Sequence, residues 1–73
     1  MNEVIKAMYQ SSLNATKNLN KQYKKELNDA INGTGLCKGI SSTERNNICA
    51  SLRSAIINTQ SEIDMLTADL AVM

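Results

Sequence analysis

NGTGLCKGISSTE, residues 32–44, decides how this chain folds, because all three glycines of the sequence, Gly33, Gly35 and Gly39, fall inside it. Proline is absent throughout, so this cluster is the one strong break in local structure. On either side run arms of nearly equal length. Phe and Trp are absent and the β-branched residues are scattered, which favours helix over strand in both arms. The stretch also carries its own punctuation. Gly33 supplies a permissive position just past a helix end. Ser41 with Glu44 three residues on matches the capping box that opens a helix. The expected layout is one domain over residues 1–73: a helix over 2–32, a Gly-rich loop over 33–40 and a second helix over 41–72.

The periodicity of each arm supports this division. In the second arm Ile48, Leu52, Ala55, Thr59, Ile63, Leu66 and Leu70 recur at steps of three and four, the stripe of a helix with one apolar face. In the first arm Val4, Met8, Ser12, Ala15, Leu19, Tyr23 and Ala30 fall close to one face, with Leu27 filling the intervening turn. Two helices of about 30 residues would each be about 45 Å long. A short link folds them back on one another as an antiparallel hairpin.

Seventy-three residues bury little surface alone, and chains of this size rely on disulfides, a metal or self-association. Two cysteines, Cys37 and Cys49, make no disulfide framework, and with no histidine they cannot complete a four-ligand zinc site. Self-association is left. Surplus apolar positions agree: Leu13, Leu27 and Ile31 form a second line on the first arm, and Cys49 and Ile56 flank the stripe of the second. The expected fold is therefore all-α, an antiparallel two-helix hairpin that oligomerises into a helical bundle, from dimer to hexamer.

No nucleophile stands beside a base and no histidine exists for acid–base work, so the chain reads as a binder and not an enzyme, without metal or cofactor. A net charge of +1 is low for a protein of nucleic-acid polymers. The charge is uneven, however: Lys17, Lys21, Lys24 and Lys25 crowd the first arm. No run is long and apolar enough to cross a membrane, and no segment resembles a secretion signal, so a cytoplasmic location is expected.

Several residues are candidates for ligand contact, and each has a plainer reading. Tyr9 shares a row with Leu13, Thr16, Asn20, Lys24, Leu27 and Ile31; it is either an amphipathic interface residue or a platform for a nucleobase. Lys17 and Lys24 are solvated lysines or phosphate contacts. Lys24 lies 15 residues from Tyr9, about 22 Å along the axis, so only an antiparallel neighbour would bring one chain's Lys24 to another's Tyr9. Arg53 lies off the stripe, as an exposed arginine or a planar fork for phosphate. Arg45, in the first turn of the second helix, opposes the helix dipole unless it marks a held anion. Thr59 is a hydrogen-bonding candidate or a polar step in the seam. Cys49 reads as a small buried hydrophobe.

The second arm, with Ser42-Thr43-Glu44-Arg45, Ile48, Leu52-Arg53, Ala55-Ile56, Thr59-Gln60 and Ile63, resembles the second helix of the phage anti-CBASS nucleotide-sponge hairpins, a domain shared with some anti-Thoeris sponges. Tyr9, Ala15 and Lys17 give a looser match on the first arm. The loop departs from the resemblance, being Gly-rich where many members carry proline. The resemblance implies small hairpins assembled into compact oligomers, commonly hexamers. These sequester the cyclic dinucleotides or trinucleotides made by bacterial immune enzymes, without turnover, in the host cytoplasm. Tyr9 would then be the base-stacking tyrosine and Arg53 the matching arginine. Glu44, Ile48-Cys49 and Ser51-Leu52 also resemble the second helix of repressor-of-primer, which would imply an RNA-binding hairpin dimer. A helical inhibitor or interaction protein is the third reading.

Overall fold

In the computed structural model, which describes residues 2–73, the chain is two long helices packed against each other as an antiparallel hairpin. Helix α1 spans Asn2–Asn32 and helix α2 spans Ser42–Ala71, joined by a loop with one 3-10 turn at Gly35–Cys37. Both helices and the Gly-rich link therefore fall where periodicity and capping put them. No strand occurs among the described residues, and none of their helices is long and apolar enough to cross a membrane. Met1, part of the expected domain, lies outside the described residues.

The glycine-rich stretch works as its residues require. Gly33 adopts φ +66°, a left-handed conformation that costs other residues more. With Gly33 in that state, the Thr34 amide reaches back to the Asp29 carbonyl at 2.9 Å, the six-to-one closure of a Schellman cap. Thr34 Oγ1 also donates to Asp29 Oδ1 at 3.3 Å. At the other end of the loop, the Ser41 hydroxyl accepts from the Glu44 amide at 3.2 Å and starts α2.

One buried hydrogen bond fixes the register. Asn20 Nδ2 donates to Thr59 Oγ1 at 2.9 Å and approaches the Ile56 carbonyl at 3.2 Å. Antiparallel helices of equal rise keep level those residues whose numbers add to the same total, here 79 from Asn20 and Thr59. That rule pairs Tyr9 with Leu70, Leu13 with Leu66, Thr16 with Ile63, Tyr23 with Ile56, Leu27 with Leu52 and Ala30 with Cys49. Every one of these residues is buried or half-buried. Both rows alternate steps of four and three, a period of 3.5 that keeps two helices in contact along their length.

This register corrects the expected face of α1. Tyr23, Leu27 and Ala30 do lie in the seam, but its N-terminal half is Tyr9, Leu13, Thr16 and Asn20. Val4, Met8 and Leu19 remain 66%, 63% and 43% exposed, and Ser12 and Ala15 are exposed as well. The expected row twice takes two successive steps of four, at Val4–Met8–Ser12 and at Ala15–Leu19–Tyr23, so its N-terminal half drifts out of the seam. On α2 the observed row keeps Leu52, Thr59, Ile63, Leu66 and Leu70 of the expected stripe, with Cys49 and Ile56 level with α1 where Ile48 and Ala55 were expected; those two are half-buried beside it.

The core is thin. Leu13, Ala30 and Cys49 are its buried apolar residues, and Thr16, Asn20 and Thr59 are buried polar ones. The hairpin measures 52 × 17 × 12 Å, with a radius of gyration of 15.8 Å against about 11 Å for a compact chain of this length. It exposes 5339 Å², where a compact monomer of its mass exposes about 4,500 Å².

Candidate functional site

Two turns of α1 separate Lys17 from Lys24, so both leave the helix on one flank of the hairpin. On α2 the same flank carries Arg53, then Ile56 and Ile57, then Gln60 and Ser61, then Asp64, at steps of three, four and seven. Lys24, Ile56, Ile57, Gln60, Ser61 and Asp64 line an open groove of about 480 Å³ there. The register makes Arg53 level with Glu26, two residues beyond Lys24, an axial offset of about 3 Å. Lys24 and Arg53 thus form a cationic pair across the seam, both side chains exposed, at one end of the groove.

The chemistry of the walls is mixed. Ile57 is 69% exposed and offers an aliphatic surface, with half-buried Ile56 beside it. The Gln60 amide donates to Asp64 Oδ1 at 3.1 Å, which leaves the Gln60 carbonyl oxygen as a free acceptor. Ser61 adds a rotatable hydroxyl. Such a groove can hold a flat apolar ring against the isoleucines, offer donors and acceptors to its edge, and meet an anion with Lys24 and Arg53. Asp64 repels an anion at the opposite end, so a ligand has a defined orientation.

The six residues named from sequence do not converge. Lys17, Lys24 and Arg53 share the groove flank. Tyr9 is half-buried in the seam, level with Leu70 at the open end of the hairpin, about 22 Å from Lys24. Arg45 is at the loop end. A methyl group on Gly33 would stand 3.2 Å from Arg45 Nη2 and 3.7 Å from Cζ, so the guanidinium lies over the end of α1. It supplies a cation to a helix terminus whose own last turn has none. Its Nε is buried without a hydrogen-bond partner.

Thr59 is a seam residue, 9% exposed, whose hydroxyl both donates and accepts within the hairpin. It lies 2.8 Å from the Ala55 carbonyl and 3.1 Å from the Ile56 carbonyl, to which it donates, while accepting from Asn20. Its one proton is used within its own helix, and Thr59 sits in the seam, outside the lining of the groove. Its partner Asn20 and the groove walls Ile56, Ile57, Ser61 and Asp64 were not singled out as contact residues. The steps from Arg53 through Ile57 and Gln60 to Asp64 mark them as one strip. That signal was weak beside the longer apolar stripe of the same helix.

No group of His, Cys, Asp and Glu among the described residues is placed to hold a metal ion. Comparison with protein-family models, with curated proteins and with solved structures finds no match to this chain.

Proposed function

We propose that this chain is a non-catalytic binder that sequesters a cyclic oligonucleotide, as a phage-type anti-defence protein acting in the host cytoplasm as a homo-oligomer. The observation that carries the reading is the groove: aliphatic walls at Ile56 and Ile57, hydrogen-bonding groups at Gln60 and Ser61, and a cation at Lys24, with exposed Arg53 just beyond its lining on the same flank. Base and phosphate are the two parts such a groove would take. The resemblance of the second helix to nucleotide-sponge hairpins supplies the ligand class.

Self-association fits the surface that the hairpin leaves open. Ile5, Ile31 and Met65 add to the apolar side chains exposed outside the seam. A neighbouring copy standing against the open groove would enclose the ligand, and its Tyr9 is the aromatic available for a base. A sponge acts by stoichiometry. Depleting a signal near 1 μM requires a Kd well below it, past roughly −8 kcal/mol. Two rigid helices help, because little is ordered on binding.

Thermal denaturation against cyclic dinucleotides, cyclic trinucleotides and cyclic ADP-ribose isomers tests the proposal. One class should raise the melting temperature, and the nucleotide should come back intact after the protein is digested. Linear product, or a flat response to all three classes, ends it.

One observation favours a second reading. Lys17, Lys24 and Arg53 make a short cationic strip on one flank of the rod. RNA duplex binding by a hairpin dimer would use that strip. Its affinity would fall steeply with salt, whereas the sponge should hold its ligand at physiological ionic strength.

A further inference from the structure

The flank opposite the groove carries the apolar row that the seam leaves out. Val4, Met8 and Leu19 are 66%, 63% and 43% exposed there, with exposed Ala15 between them. The row has an internal symmetry. Val4 and Met8 are four apart, as are Ala15 and Leu19, and the midpoint falls between Ser11 and Ser12. Beyond Leu19 the same flank continues with Gln22 and Glu26 and is polar.

We propose that this row is a two-fold interface with a second copy of the chain, each α1 running antiparallel to the other. The symmetry sets Val4 against Leu19 of the partner subunit and Met8 against Ala15 of the partner subunit, a larger side chain on a smaller one in the second case. Ser11 and Ser12 lie at the axis, where small residues let two helices approach. An isologous contact requires this kind of self-complementary spacing.

Area supports a second copy as occupant. The hairpin exposes 5339 Å², roughly 800 Å² more than a compact monomer of its mass, and a standard interface takes about 800 Å² from each partner. The charge pattern sets the salt dependence. Glu62 and Asp69 lie on the α2 edge of this flank, so like charges approach when two copies meet face to face. Screening relieves that repulsion. Both groove flanks stay outward in this dimer, so the inference rests on the self-association within the proposed function and not on the nucleotide.

Site-directed cross-linking tests it. With Cys37→Ser as background, Val4→Cys copies mixed with Leu19→Cys copies should form covalent dimers with a short bis-maleimide, while each variant alone should link weakly. Strong self-linking of each variant alone means a parallel contact and overturns the proposal. No linkage in the mixture overturns it as well. In a second measurement, Met8→Glu should reduce the native mass by half or more, Asn46→Glu, exposed at the loop end outside both the row and the groove, should not, and the unsubstituted dimer should tighten as salt rises. Association that weakens with salt means that basic and acidic flanks stack instead, and it overturns the two-fold arrangement. A flat nucleotide screen with cross-linking intact rejects the sponge and leaves the interface standing; nucleotide binding without cross-linking does the reverse.

Discussion

Asn20 and Thr59 meet across the seam through a single 2.9 Å hydrogen bond that is buried on both sides. Their side chains are 5% and 9% exposed, in a core with three buried apolar residues among the described ones. The bond is directional, and the Asn20 amide finds its side-chain partner on α2 at Thr59, so a shift of one turn would take the amide away from that hydroxyl.

Removing that amide should cost stability. Asn20→Ala loses the bond to Thr59 and leaves a small void, an expected loss of about 1–3 kcal/mol. The double change Asn20→Leu with Thr59→Val replaces the pair by apolar groups and should restore most of the loss. Chemical denaturation of the single and double variants at one fixed protein concentration gives the coupling, expected at about 0.5–3 kcal/mol.

Gly33 should be less replaceable than Gly39. Its φ of +66° penalises any side chain, and a Cβ there meets the Arg45 guanidinium at 3.2 Å. Gly33→Ala should lower stability by about 1–2 kcal/mol from the backbone alone. Gly39, at φ +83° with nothing within 4 Å of a Cβ, should lose only the backbone part. Melting temperatures of the two variants, about 4–8 °C per kcal/mol at this size, should separate them if Arg45 cannot move aside.

The start of α2 depends on one hydroxyl. Ser41→Ala removes the acceptor for the Glu44 amide, and a loss of about 1 kcal/mol is expected, with Ser41→Asp close to neutral. Helicity by circular dichroism during thermal melting reads both.

The two cysteines should differ in access. Cys37 is half-buried in the loop and Cys49 is 6% exposed in the seam, level with Ala30. A thiol reagent should modify Cys37 rapidly in the native protein and Cys49 only as the hairpin opens. Equal rates for the two would contradict the register.

Lys24 and Arg53 are exposed, and neither enters the hydrogen bonding of the seam. Lys24→Gln and Arg53→Gln should each change stability by less than about 0.5 kcal/mol. Each should weaken cyclic oligonucleotide binding about tenfold or more, the loss expected for one charge-assisted hydrogen bond. Calorimetric titration of the folded variants measures this.

Much of the architecture was legible from local chemistry. Three clustered glycines, the Ser41–Glu44 pair and the stripe from Ile48 to Leu70 act within a few residues of themselves, so they specify two helices, a loop and the buried face of α2 without reference to the rest of the chain. The cationic members of the candidate groove were legible as residues, but their grouping was not, because Lys24 and Arg53 are neighbours only once the register is set.

What the tertiary structure decided is which face of α1 turns inward. The row through Val4, Met8, Ala15 and Leu19 is the more apolar, whereas the row through Tyr9, Leu13, Thr16 and Asn20 holds two polar side chains at its centre. Read in one helix, burying Asn20 is a penalty. Across the hairpin the penalty is relieved, because Thr59 accepts from its amide; Thr16 is satisfied within α1, donating back to the Ser12 carbonyl at 2.9 Å. The alternating steps of four and three then match those of α2 from Ala30 to Tyr9. Satisfaction of a buried polar group is a property of a pair, and one strand of sequence carries only half of it.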